Sequence, residues 1–481
     1  MNFLPQHSRA TDSNLASQPN LANQIAQRCA VIGLSAFILL LPFARLSELG
    51  IVFCLISSGI YWAAGLWQKE KMPALILLNR AAQAALACWA AIFAAELISC
   101  MDSAEVKGSL VATFGGIRFA ALIIAAAQLS GAQRVFLSKL AGITLGIWCV
   151  DALVQATSGF SLGGRGNADR ISGVFGDDNL KLGLVTATLA PIALFVAQRF
   201  RPPWFSPKLR FVGLFAVWLI FAAVILLAGA RAGWVMFALV SVLWGLQLSG
   251  YNLRKVGLGL LLGLSTAICL AVILNATNSR FAQRVERTMA IFDLQTADFA
   301  LAGRVPIWKT AVSMAVAHPI NGVGVRAFRY AYPEFAQAGD PWVHTIPAAN
   351  NADAQAIGAN HPHQLLLEIL TETGLIGLLL WAFAIFLLVR AWRRASPAQR
   401  AHAWPYGCAL IVLTFPINTH SALYSSFWAG VLWWLIALLS ANLSAAAIEM
   451  QLAGSSAAIA DVDHFRAAAE RGGVGDLQWT C

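Results

Sequence analysis

Twelve apolar runs leave this chain little choice of fold. They fall at about 31–44, 49–66, 82–100, 109–128, 136–157, 180–198, 211–228, 233–249, 256–275, 374–390, 404–420 and 426–445. A helix crossing a bilayer needs roughly 20 apolar residues. In lipid, every backbone N–H and C=O must be satisfied within the spanning segment or a closed barrel. The runs therefore predict an all-α polytopic membrane protein with about twelve transmembrane helices. The first run is short and extends back over Cys29, and Gly115, Gly116 and Arg118 interrupt the fourth. Composition agrees: 12% of the 481 residues are charged, against roughly 25% in soluble domains, and mean hydropathy is +0.67.

Basic residues in the short loops predict the orientation. Lys69 and Lys71 follow the second run, Arg134 the fourth, Arg199 and Arg201 the sixth, Arg254 and Lys255 the eighth, Arg393 and Arg394 the tenth. All follow even-numbered runs, so these loops and both termini are expected in the cytoplasm. The expected organisation is a cytoplasmic tail over 1–28, helices one to nine over 29–275, an outward loop over 276–373, helices ten to twelve over 374–445, and a cytoplasmic tail over 446–481. The first 28 residues lack a signal-peptide pattern, so the first run is expected to stay as a span. With no organelle-targeting signal, a bacterial inner membrane is expected, with the outward loops in the periplasm. The net charge of +10 sets topology on this reading, so the expected surroundings are membrane lipids and no nucleic acid. The eight cysteines show no CxxC or metal-ligand spacing.

The loop over 276–373 is long enough to carry function. Trp308, Phe328, Tyr330, Tyr332, Phe335 and Trp342 offer aromatic area for a small packed cap. Arg280, Arg284 and Arg287 recur at helical spacing near its start, and apolar positions recur helically over 305–317. Pro319, Gly322 and Gly324 follow as breakers.

At its end the loop runs Asn360-His361-Pro362-His363-Gln364 into a membrane helix. Imidazole is the side chain best suited to move protons near neutral pH. Pro362 suits a helix's first turn, which would set His363 at the positive end of the helix dipole, an environment favouring neutral imidazole. A neutral histidine can accept a proton as a general base must. Glu368 and Glu372 stand one turn apart and could orient neighbouring groups. The plainer alternative is a loop histidine that caps or bonds backbone.

Three arginines accompany the histidines. Arg231 lies in Ala230-Arg231-Ala232-Gly233, between two strongly apolar runs. Placing arginine in a membrane costs about 2.5–3.5 kcal/mol on insertion scales. It could snorkel to the interface, but the small residues around it leave room for a bulky anion. Arg304, in Gly303-Arg304-Val305-Pro306-Ile307-Trp308, is expected to open a helix in the loop. Guanidinium is planar and always charged, and so suits bidentate phosphate contacts. Arg170 precedes Gly173, Gly176 and Asn179 in another outward loop, where the glycines permit tight turns and Asn179 can cap the next helix. Asp177 and Asp178 form a weak metal motif; a salt bridge to Arg170 or a helix cap is the simpler reading. Several outward cations with few clustered carboxylates suit a substrate that brings its own negative charge, such as a lipid pyrophosphate. Preorganised arginines can neutralise a leaving pyrophosphate without a metal, so no cofactor is called for.

These residues resemble the bacterial O-antigen ligases, within the superfamily that includes O-antigen polymerases and protein O-oligosaccharyltransferases. The signature is a histidine followed by Asn, Ser or Gln, nine residues, then Gly-x-x-Gly, which His363-Gln364, Gly374 and Gly377 match. Gly173 to Asn179, Ala230 to Gly233, Gly303-Arg304 with Trp308, and Pro319 with Gly322 and Gly324 are also similar. The likeness covers about 165–390. Gln364 stands where many relatives have asparagine, and the Asp177-Asp178-Asn179 run differs from an Asn-Pro-Asn-like version.

The resemblance implies transfer of a finished polysaccharide from undecaprenyl pyrophosphate to a sugar hydroxyl on lipid A–core at the periplasmic face, without a metal and with inversion. It assigns His363 as the base and Arg231 and Arg304 as the pyrophosphate-holding arginines, with Arg170 as a third and His361 as support. O-antigen polymerase and protein O-oligosaccharyltransferase share the donor and differ in acceptor. A transporter is the alternative from another class; the chain shows no internal repeat, and its unusual residues gather at one face.

Overall fold

A computed structural model describes residues 21–67, 79–165, 170–176, 179, 181–200, 206–250, 252–290, 301–346, 355–416 and 422–444. Both tails beyond these limits, together with Lys69, Lys71, Arg201, Asp177 and Asp178, lie outside the described residues. The described residues are mainly helical, with two short antiparallel hairpins, Phe160–Ser161 with Gly164–Arg165 and His344–Ile346 with Gln355–Ile357. Ten described helices are long and apolar enough to cross a membrane, as in a multi-pass membrane protein.

Helices α1 (Leu21–Leu40), α2 (Ser47–Trp67), α3 (Arg80–Ser99), α4 (Val106–Gly115), α5 (Ala120–Ala127) and α6 (Gly131–Ser158) cover the first five runs. Helices α7 (Lys181–Arg199), α8 (Pro207–Leu227), α9 (Arg231–Leu248) and α10 (Leu253–Thr277) cover the next four. The loop holds α11 (Ser279–Met289), α12 (Arg304–Ala317) and α13 (Phe328–Phe335), and α14 (Leu365–Arg394), α15 (Pro397–Leu413) and α16 (Ser426–Asn442) complete the chain. Among the described residues each of the twelve runs overlaps a helix, but α15 and α16 have 17 residues each. At 1.5 Å per residue such a helix reaches about 25 Å, at the lower edge of a span.

Local sequence accounts for the boundaries. Ser130 with Gln133 and Ser396 with Gln399 form capping boxes at α6 and α15. Asn278 ends α10 and caps α11, its side chain accepting from Phe281 N at 3.0 Å. In the fourth run, Gly116–Phe119 adopts a 3-10 turn. Half-buried Arg118, within that interruption, pairs with Glu48 through contacts of 2.8 and 2.9 Å. An ion pair answers the charge that disturbs the run.

The core centres on α16, whose residues from Gly430 to Asn442 are all buried. Trp434 donates from Nε1 to Leu34 O at 3.1 Å, tying α16 to α1. Helices α1 and α2 cross closely at Gly33 and Gly50, where a Cβ on Gly33 would lie 2.7 Å from Gly50 O; small residues permit such approaches. By contrast, α10 buries only Val256, as suits a helix facing lipid.

Helix α14 is broken at Gly374, which has φ 63° and ψ −162°. The segment 319–324 fills the break. Leu375 N donates to Pro319 O at 2.8 Å and Ile376 N to Ile320 O at 3.1 Å, while Thr371 O and Glu372 O accept from Val323 N at 2.7 Å and Gly324 N at 3.1 Å. A Cβ on Gly374 would strike Ile320 O, and one on Gly322 would lie 2.5 Å from Glu372 C. Broken helices survive at membrane depth where protein satisfies the freed backbone groups. Gly374, Gly322, Gly324 and Pro319 thus work together as a joint.

Candidate active site

The loop folds into a cap above this joint. Ile307, Ala311, Met314, Phe328 and Tyr332 form a buried cluster, with Phe335 and Trp342 packed against it. Trp308 and Tyr330 are absent from that cluster: Arg329 stacks on the Tyr330 ring at 5.4 Å, and Trp308 turns to the histidine segment. Its Nε1 donates to Pro362 O at 3.0 Å.

Pro362 does not occupy the first turn of α14, as the sequence had led us to expect. Gln364 is the N-cap, its Oε1 accepting from Leu367 N at 2.6 Å and its Nε2 donating to Pro416 O at 3.0 Å. The amide can both accept from the helix and donate outward, so it takes the cap and displaces Pro362 two residues upstream. His363 lies just outside the helix, with φ 54°. Positive φ is uncommon for a residue other than glycine, although histidine is among the types enriched there. Such backbone costs on the order of 1–3 kcal/mol and clusters at functional sites. The conformation brings the His361 and His363 rings to 3.9 Å between centroids, and His363 N donates to His361 Nδ1 at 3.2 Å. Neutral His361 then carries its proton on Nε2 and steadies the turn that presents His363.

Arg304 is the first residue of α12, following Gly303 at φ 68°. Gly303 O accepts from Trp342 Nε1 at 2.7 Å. Arg304 and Trp308 are four residues apart and share one helix face, so the face that grips the histidine turn also carries the guanidinium. Burial, with repulsion from Arg231 and Arg170, lowers the pKa of Arg304 from its usual value. Arg231 opens α9 after Gly229 at φ 67°, and it lies in the field of Arg170 and Arg287.

Arg170 reaches this group from the loop before α7. Gln155 of α6 holds that loop, its Oε1 accepting from Ser172 N at 2.8 Å and Gly173 N at 2.7 Å. Asp151 Oδ1 accepts from Leu162 N at 2.7 Å. Asn179 Oδ1 accepts from Lys181 N at 3.3 Å at the start of α7. The suggested salt bridge or metal role for Asp177 and Asp178 lies outside the described residues.

The structure thus groups the three predicted arginines with one another, pairs the two histidines, and joins the groups through Trp308. It adds residues that sequence reasoning did not place in the site. Arg287 acts on Arg231, and the guanidinium of Arg284 packs over Gly229. Their helical spacing in α11 was visible, but nothing local showed that Phe281 would seat this helix on Trp234, with rings 5.9 Å apart. Gln155 and Asp151, inside an apolar run, gave no signal.

Glu368 and Glu372 do orient neighbours, and those neighbours are backbone. The Glu368 carboxylate faces Leu423 N at 3.3 Å and Tyr424 N at 3.5 Å. Glu372 Oε2 accepts from Arg326 N at 2.7 Å. Among the described residues, no three His, Cys, Asp or Glu side chains gather as a metal-ligand group.

Such an arrangement can hold a diphosphate on clustered guanidiniums and place an imidazole beside it. A family model for O-antigen ligase matches residues 215–382, a span that contains Arg231, Arg304, His361, His363 and the Gly374–Gly377 motif. Arg170 lies before it. No curated protein matches the chain.

Proposed function

With residues 215–382 belonging to the O-antigen ligase family, we propose that this protein transfers O-antigen polysaccharide from undecaprenyl pyrophosphate to lipid A–core at the periplasmic face of a bacterial inner membrane. Arg231, Arg304 and Arg170 hold the donor's pyrophosphate. His363 removes the proton from an acceptor sugar hydroxyl as its oxygen attacks the anomeric carbon. The bond from that carbon to the pyrophosphate oxygen breaks, the glycan inverts at the anomeric centre, and undecaprenyl pyrophosphate leaves with the electron pair. The guanidiniums stabilise the charge gathering on the leaving group, and the reaction needs no metal. His361 supports the turn, and the His363 proton passes to solvent.

The observation that carries this reading is the coupling of two groups. Trp308 bonds the histidine turn from the helix that begins with Arg304, and Arg304 feels Arg231 and Arg170. A general base and an anion-binding cluster on separate elements are then tied together by one hydrogen bond, as positioning for group transfer requires. A strain lacking the protein tests the reading: complementation by this chain should restore O-antigen on lipid A–core. Restored pilin glycosylation with no change in lipopolysaccharide would move the acceptor to protein. Lengthened lipid-linked glycan alone would mark a polymerase.

A further inference from the structure

A cavity of ≈ 120 Å³ opens between α3, α4, α14 and α16, and the chemistry above does not use it. By the rule that a water needs about 10–15 Å³ of such space, it has room for a pyranose ring. Trp89, Phe93, Trp381 and Trp433 form its aromatic walls. Trp89 and Phe93 stack at 5.2 Å, both half-buried, and Trp89 donates from Nε1 to Gly116 O at 3.2 Å.

The charges lining the cavity decide what fits. Arg118 is paired with Glu48 at 2.8 Å. Arg326 stands in the field of Glu372 and Glu368. Half-buried Glu96 lines the cavity, and no described residue hydrogen-bonds to its carboxyl. Both cations are compensated and Glu96 adds no positive charge, so a phosphate is disfavoured. A neutral polyol is suited: its hydroxyls hydrogen-bond to the Glu96 carboxyl group, and the C–H face of its ring lies on aromatic surface.

The cavity is also tied to the candidate active site. Its Leu423–Tyr424 wall is held by Glu368, and Arg326 by Glu372. Both carboxylates belong to the helix that starts two residues after His363. We propose that this cavity is the subsite for a sugar ring of the acceptor, with the Glu96 carboxyl group hydrogen-bonding to its hydroxyls and the partly exposed Trp89 and Phe93 rings against its C–H face. The assignment of that sugar to lipid A–core rests on the proposed function.

The test uses full-length protein in lipid nanodiscs and, as probe, dephosphorylated core oligosaccharide freed of lipid A. Saturable binding is expected for the wild type and for His363→Ala. Glu96→Leu should weaken it at least tenfold. Ala429→Trp, which fills the cavity from its α16 wall, should weaken it similarly, and both variants should bind undecaprenyl pyrophosphate as the wild type does. No binding to the wild type, binding only when the core phosphates are kept, or wild-type affinity in both variants would overturn the subsite. Glu96-dependent binding without any transfer to lipid A–core would count against the ligase reading and leave the subsite standing.

Discussion

Trp308 Nε1 lies 3.0 Å from Pro362 O, and through that bond the helix that begins with Arg304 grips the turn that ends with His363. Cation and base belong to separate parts of the loop, 59 positions apart by number (363 − 304). One indole N–H fixes their relation. Trp308→Phe keeps the ring and removes the donor. A neutral hydrogen bond contributes about 0.5–1.5 kcal/mol, so transfer should slow roughly 2- to 13-fold at unchanged protein level. Wild-type turnover in the variant would show that the bond does not position the base.

His363→Ala should reduce transfer by roughly 10²- to 10⁴-fold, the usual contribution of a general base, while donor binding persists. His361→Ala should cost less, because it removes the acceptor and ring that steady the His363 turn and leaves the His363 imidazole in place. Rates for both variants at saturating donor check the order. A larger loss at His361 would exchange their roles.

Arg231→Ala and Arg304→Ala should each weaken binding of undecaprenyl pyrophosphate. Hydrogen bonds to charged groups contribute about 1.5–3 kcal/mol, which corresponds to roughly 10- to 150-fold in affinity. The two guanidiniums lie in one field, so the double variant should depart from additivity. Titration of the lipid pyrophosphate into the purified variants measures this, and unchanged affinity in both would remove the arginines from the donor site.

Gly374→Ala should fail in a different way. A Cβ there meets Ile320 O, and the backbone sits at φ 63°. The expected outcome is poor accumulation or protease sensitivity in the membrane, with donor binding lost alongside folding. Stable protein with selectively impaired catalysis would make the glycine a chemical rather than a structural requirement.

Transfer by the purified protein should survive EDTA, because arginines carry the charge that a metal would otherwise meet. Loss of activity restored by magnesium would assign that task to a cation.

Much of this was legible in the sequence, for identifiable reasons. Apolar run length located the spans, because lipid allows few alternatives. Periodicity located α11 and α12, whereas the break in α14 at Gly374 was not foreseen, because it depends on the segment 319–324 filling the gap. The turn at His363 was misjudged. Pro362 fits a first helical turn by its own propensity, yet Gln364 can bond Leu367 N and Pro416 O at once, and that tertiary contact prevails. Arg284 and Arg287 were seen as a pattern but not as part of the site, because their place depends on Phe281 packing against Trp234. The Glu96 cavity was invisible, since it is assembled from helices distant in sequence.

The most direct test mixes purified protein, undecaprenyl-pyrophosphate-linked O-antigen and rough lipopolysaccharide, and follows both products. The account predicts a smooth lipopolysaccharide ladder with one undecaprenyl pyrophosphate released per glycan joined, absent with His363→Ala. No ladder from the wild type, or an undiminished ladder from His363→Ala, would contradict it.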